Sequence, residues 1–199
     1  MKVLVLKEAG YEEALLGMSL SYYDHALELE HWWSSQYPRA VKRAAKLAHM
    51  PGNSGETKFL ESIQVWIFIQ ASRDFWQEFD TYRVGVTKQS ASTMHTLTKR
   101  DATYDDFEEG TTNLAITNLN LVLADKEGYT NSEYTTRVKA NLPEGWLQER
   151  VVCTSYSTLK HMINQRENHR LKYWPQFCKE IAAQVRHPEF LEKQNDTES

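Results

Sequence analysis

The sequence predicts an α+β domain in which long helices pack on a small mixed or antiparallel sheet. Three observations carry that expectation. Apolar residues recur at three- and four-residue spacing over several long stretches, the mark of amphipathic helices. Short β-prone runs stand far apart between them, at Lys2–Leu6, Val84–Val86 and Val151–Thr154. With 199 residues, 41% of them apolar, the chain can bury one substantial core. Residues 1–190 read as a single domain, and 191–199 as a frayed polar tail.

Each element has a local reason. Lys2–Leu6 is aliphatic and β-branched and stops at Ala9-Gly10, so it reads as a first strand. From Tyr11 to about Trp33, Ala14, Leu15, Met18, Tyr22, Ala26 and Leu27 mark one helical face. Pro38 suits the first turn of a helix running to Leu47, whose Arg39, Lys42, Arg43 and Lys46 read as a solvated face. Met50–Gly55 is a loop, and it lacks the Gly-Lys-Ser/Thr ending of a phosphate loop. Thr57–Phe79 is apolar on more than one side and reads as a long, buried central helix, on which Glu61 and Gln64 would need partners or a ligand. Further helices are expected over Asn113–Asp125, over Asn131–Asn141, up to Arg166, and over Arg170–Val185, where Pro175 either starts or kinks the helix. The tail after His187 has few anchors.

Composition narrows the function. The net charge of −4 disfavours duplex nucleic acid as a partner. The two cysteines, Cys153 and Cys178, have no metal or redox spacing and read as reduced thiols. His25 and His31, six residues apart beside Glu28 and Glu30, fit a metal-binding helical face poorly. Neither a signal peptide nor a membrane span is evident, so a soluble, cytoplasmic protein is expected. The stretch Ser72–Met94 is the most suggestive: Phe75, Trp76 and Phe79 run into a Thr81-Tyr82-Arg83 corner and then a cluster of small hydroxyl residues. A fixed cation and hydrogen-bonding groups beside aromatic rings suit a flat, anionic ligand.

Several blocks in order resemble the flavin-dependent thymidylate synthase family. The family's Gly-His-x-Ser/Thr-x-x-Glu-His block falls on Gly55–Ser62, and in the same register its Arg-His-Arg triplet falls on Thr81-Tyr82-Arg83. Downstream, Lys139 stands where the family has an arginine before Leu-Pro, here Leu142-Pro143. Thr158–Arg166 echoes its Ser-Leu-x-x-Phe/Ile-x-x-x-Arg element. Glu56, Lys58, Thr81 and Tyr82 replace residues that hold the flavin in the family, while Ala91 and Thr93 replace residues that hold the pyrimidine nucleotide.

The resemblance implies the family's fold, a homotetramer with pockets between subunits, and a ligand-binding set of Glu61, Tyr82, Arg83, Gln89, Ser90, Lys139 and Arg166. In that set Arg83 and Arg166 hold phosphates, and Glu61 and Gln89 position polar edges. No catalytic residue is assigned. The degenerate motifs imply a nucleotide-binding protein whose rebuilt pocket binds or sequesters a nucleotide-like small molecule; a viral protein that captures a nucleotide signal is one version. The alternative is an active flavin-dependent enzyme, with FAD as the cofactor the resemblance implies, methylating C5 of a pyrimidine nucleotide from a folate donor.

Overall fold

A computed structural model describes residues 1–22, 31–51, 54–91 and 97–192. His25, Ala26, Leu27, Glu28, Glu30, Thr93 and Met94, named above, lie outside the described residues, as does the tail from residue 193. The fold is α+β. Four strands, β1 (Lys2–Ala9), β2 (Gln64–Ser72), β3 (Val86–Ser90) and β4 (Leu147–Ser155), form one antiparallel sheet in the order β1-β2-β4-β3. Among the described residues the helices are α1 (Tyr11–Ser19), α2 (Tyr37–Ala48), α3 (Phe59–Ser62), α4 (Arg73–Phe79), α5 (Asn113–Ala124), α6 (Asn131–Ala140), α7 (Tyr156–Arg166) and α8 (Tyr173–Gln184). Among the described residues no helix is long and apolar enough to cross a membrane.

The expected long helix over Thr57–Phe79 is corrected. Only α3 and α4 are helical there, and β2 runs between them. Val65, Ile67, Ile69 and Ala71 are fully buried while Gln64, Trp66, Phe68 and Gln70 are half-buried, the two-residue alternation of a strand. Trp66 and Phe68 on the second face made the run look apolar all round, a pattern that periodicity alone cannot assign. Glu61 consequently sits on a short helix, exposed.

Other boundaries shift less. Within the first predicted helix, α1 ends at Ser19 in a 3-10 turn, residues 23–30 lie outside the described residues, and a π-helical turn over Trp32–Gln36 leads into α2. Val84-Gly85 is a turn, and the strand begins at Val86. Gly85 has φ +68°, and a Cβ there would lie 2.9 Å from the Thr158 hydroxyl, so glycine suits this turn. Pro175 falls in the first turn of α8. Phe190 and Leu191 are buried, so the chain is anchored past His187.

The chain divides into two compact units. The larger comprises Val3–Phe68, Val84–Thr87 and Val152–Ser199. In it α2 packs on α1, and α7 packs on α3 and α8. Ala40, Ala44 and Ala48 are fully buried at four-residue spacing, a row of small side chains that lets a neighbouring helix approach closely. Lys160 of α7 donates to the terminal carbonyl of α2 at Ala48, where a cation also meets the negative end of the helix. At the start of α1, Glu8 accepts from the Tyr11 hydroxyl, from the Tyr156 hydroxyl at 2.7 Å and from the Arg186 backbone N–H at 2.9 Å. Burial, with Glu8 beside them, pushes both phenols above their ordinary values, so both stay protonated donors.

The smaller unit comprises Met1–Lys2, Ile69–Arg83 and Lys88–Val151. Its α5–α6 pair buries Ile116, Leu119, Leu123, Tyr134 and Val138 with Leu97, Phe107 and Leu142. Thr130 and Glu133 form a capping box at the start of α6. On α4, Trp76 donates to the Gln148 carbonyl at 3.2 Å, and the Arg150 guanidinium lies 4.2 Å over its ring. Asp80 pairs with Lys88 at 2.5 Å and Arg150 at 3.2 Å. Burial works against ionising Asp80, and the two cations outweigh it, holding the carboxyl below its ordinary value.

Candidate functional site

A concavity with mixed chemistry lies in the larger unit, a cavity of about 490 Å³. Glu13, Ala14, Gly17 and Met18 of α1 form one wall, their spacing placing them on one helical face. Ser21, Tyr22 and Leu47 continue it. The opposite side is Gly55, Glu56, Lys58, Phe59 and Ser62. A Cβ at Gly17 or at Gly55 would meet nothing within 4 Å, so the walls are open at both glycines.

Apolar surface from Met18, Leu47 and Phe59 alternates here with hydroxyls, one ammonium and two carboxylates. Glu56 is held below its ordinary value by its own backbone N–H and by the Ser54 hydroxyl. The Arg43 guanidinium lies 4.2 Å over the Tyr22 ring, and its Nη1 is buried with no hydrogen-bond partner among the described residues. An aromatic, hydrogen-bonding cleft of this size accommodates a flat heterocycle with polar edges.

A second cleft, about 260 Å³, lies in the smaller unit between Gln70, Leu97, Trp146 and Leu147. Its arginine, Arg100, is committed to Asp106 by two hydrogen bonds of 2.7 and 2.6 Å.

The crystal structure of flavin-dependent thymidylate synthase ThyX from Helicobacter pylori complexed with FAD and dUMP superposes with a TM-score of 0.75, covering 96% of this chain and 98% of its own, at 13% identity. A second structure of ThyX from Helicobacter pylori with FAD and dUMP gives 0.70 at 14% identity, covering 96% and 97%. The fold is that of the flavin-dependent thymidylate synthases. No protein-family model and no curated protein matches the sequence.

On this thymidylate synthase-like fold the residues expected to hold a ligand are dispersed. In the smaller unit, Tyr82 is buried against Phe79 at 6.2 Å between ring centroids, and Arg83 beside it is exposed. Gln89 and Ser90 are consecutive on β3, so they point to opposite faces, and both are exposed. Lys139 is exposed in the last turn of α6. In the larger unit, Glu61 is exposed, and its carbonyl accepts from the Gln64 amide at 2.8 Å. Arg166 stacks 4.8 Å over Trp174 and bonds His169 at 3.0 Å. None of these seven lines either cleft.

What the cavity does share with the sequence reading is the Gly55–Ser62 block, which supplies five of its wall residues. Met18, Tyr22 and Leu47 read in the sequence only as helical positions, and nothing in the sequence marks Glu13. Gly17 was the available signal, since a glycine inside a helix costs about 1 kcal/mol against alanine and so asks for a reason.

Proposed function

We propose that the protein binds a nucleotide-like small molecule in a rebuilt pocket of the flavin-dependent thymidylate synthase fold, acting as a binding or sequestering protein in the cytoplasm. The observation that carries this reading is the 490 Å³ cavity walled by the Gly55–Ser62 block, with Tyr22 and Phe59 as aromatic surface and Lys58 as a cation. Its size and mixture of ring faces with polar groups suit one nucleotide. FAD fits it poorly: Lys58 shares the lining with Glu13 and Glu56, so the walls are net negative where a diphosphate would need cations.

A second reading, an active flavin enzyme methylating a pyrimidine nucleotide from a folate, draws support from the FAD and dUMP in both solved neighbours. In either case we take residues 1–190 as one domain and the assembly as a homotetramer with pockets completed between subunits.

The visible spectrum of the purified protein, followed by titration with FAD, separates the two readings. A colourless protein that gains no flavin supports the binding module, and stoichiometric flavin uptake supports the enzyme. Calorimetric titration with dUMP and other nucleotides then tests the pocket. Lys58→Ala and Arg83→Ala, both at exposed positions, report which cation meets the phosphate. The cavity reading expects at least a tenfold loss for Lys58→Ala, about 1.4 kcal/mol. An unchanged affinity in that variant removes the cavity as the phosphate site.

A further inference from the structure

Two carboxylates line the 490 Å³ cavity, Glu13 from α1 and Glu56 from the Gly55–Ser62 block, and they differ in what they already hold. Glu56 has its own backbone N–H and the Ser54 hydroxyl beside it. Glu13 is exposed and takes part in no hydrogen bond or ion pair among the described residues. A carboxylate in the first turn of α1 suits the helix dipole. Glu12 supplies that too, but its side chain receives the Arg186 guanidinium at 3.0 Å, and of the two glutamates only Glu13 lines the cavity. Next to Glu13 the wall is bare. Helical side chains lean toward the helix N-terminus, so a side chain at position 17 would lie over the turn that carries Glu13 and Ala14. Gly17 puts nothing there, and a Cβ in its place would meet no atom within 4 Å. Glu13 therefore stands at the edge of a flat floor made by Ala14 and Gly17, with Phe59 in the same lining.

We infer that the cavity takes a guanine nucleotide, with the Glu13 carboxylate accepting from the N1–H and the exocyclic amine of the base. The inference rests on the nucleotide reading above and names the base. An ionised carboxylate only accepts hydrogen bonds. Guanine is the one common base with two neighbouring donors on its pairing edge, spaced for the two oxygens of one carboxylate. Adenine and cytosine set a bare ring nitrogen beside their single amine, and uracil flanks its one N–H with two carbonyls. Each of these would press a lone pair against Glu13, and such repulsion discriminates as effectively as a new bond. The guanine ring lies on the Ala14–Gly17 floor, and Lys58, the cation of the lining, remains for the phosphate. An organic cation fits less well, because it would share the cavity with that ammonium.

Calorimetric titration of the wild-type protein with GMP, IMP, AMP and dUMP reads the base directly. GMP is expected to bind roughly tenfold or more tightly than AMP or dUMP. IMP, which lacks only the exocyclic amine, falls behind GMP by a similar factor, because a site built for a hydrogen bond penalises a ligand that cannot make it. Glu13→Gln exchanges one acceptor oxygen for a donor; with its circular dichroism unchanged, it weakens GMP roughly tenfold and leaves dUMP as it was, so the preference collapses. A merely structural role for Glu13 would shift both ligands alike. Lys58→Ala weakens GMP and leaves guanosine unchanged, which keeps the phosphate and the base apart; equal losses would put Lys58 on the base and overturn the assignment. If the wild type binds nucleotides without preferring GMP to IMP and dUMP, or if Glu13→Gln keeps the wild-type ratio, the guanine inference is overturned while the nucleotide reading stands. A wild type that binds no nucleotide overturns both.

Discussion

Asp106 accepts from the two terminal nitrogens of Arg100 and, at 2.8 Å, from the backbone N–H of Thr103, closing a capping box at a 3-10 turn. The Arg100 hydrogen bonds are the largest influence on its carboxyl; burial opposes them, and the net effect holds the pKa below the ordinary value. A carboxyl whose folded-state pKa is depressed stabilises the fold above its unfolded value, about 3.9, and loses that contribution as pH falls through the folded value. Asp106→Asn is therefore expected to lower stability by about 1 kcal/mol at pH 7, an amount kept small because Arg100 is largely exposed and screened. Thermal melts of both proteins from pH 7 to pH 2 check this: the difference should be flat down to about pH 4 and vanish below. A difference that grows on acidification would mean another group is responsible. The same scale shows what a one-dimensional motif conceals. Arg166 and Arg83 look alike in sequence, yet one is stacked on Trp174 and the other is exposed, because three-dimensional neighbours decide whether a guanidinium is already engaged.

Among elements, β1 illustrates how an edge strand is kept from pairing with another chain. The Gln184 side chain on α8 receives the Val5 N–H at 3.0 Å and donates to the Val3 carbonyl at 3.1 Å, imitating the next strand with one amide. Gln184→Leu would leave both groups without their partner at an edge, costing about 1–3 kcal/mol and exposing a template for strand addition. Hydrogen exchange should show faster loss of the Val5 amide proton, and light scattering should show concentration-dependent association. An unchanged Val5 rate would refute the role. Elements with a single, clean period were legible in sequence: α2, α5, α6 and α8 fall close to their expected bounds. β2 was not, because Trp66 and Phe68 fill the row that in a one-sided strand would be polar. The cavity was legible only through the Gly55–Ser62 block, since its α1 wall depends on which face of that helix is left uncovered.

For the molecule as a whole, the sheet's second row remains partly apolar at solvent. Leu4 and Leu6 of β1 are exposed, and Trp66 and Phe68 of β2 are half-buried. Contiguous apolar surface of this kind is characteristic of subunit contacts, which is the physical support for the proposed homotetramer. Leu4→Lys/Leu6→Lys should leave the circular dichroism spectrum intact and shift the mass measured by light scattering from tetramer to a smaller species. A wild-type monomer would dismiss the assembly outright. The fold expected from the ordered blocks is the one shared with solved structures at 13% identity, because packing constrains how elements follow one another more tightly than it constrains individual side chains.

The Glu8 network ties residues 148 and 178 positions apart, through Tyr156 and Arg186. Closing such wide loops is slow, because their entropy is lost before the contacts are gained. During synthesis at about 5–20 residues per second, the segment from Glu8 to Arg186 takes roughly 9 to 36 s to emerge, and through that interval β1 and α1 lack the partners that complete their unit. Through that interval the edge of β1 is unshielded, because Gln184, whose amide covers it, lies 179 residues further along the chain than Val5.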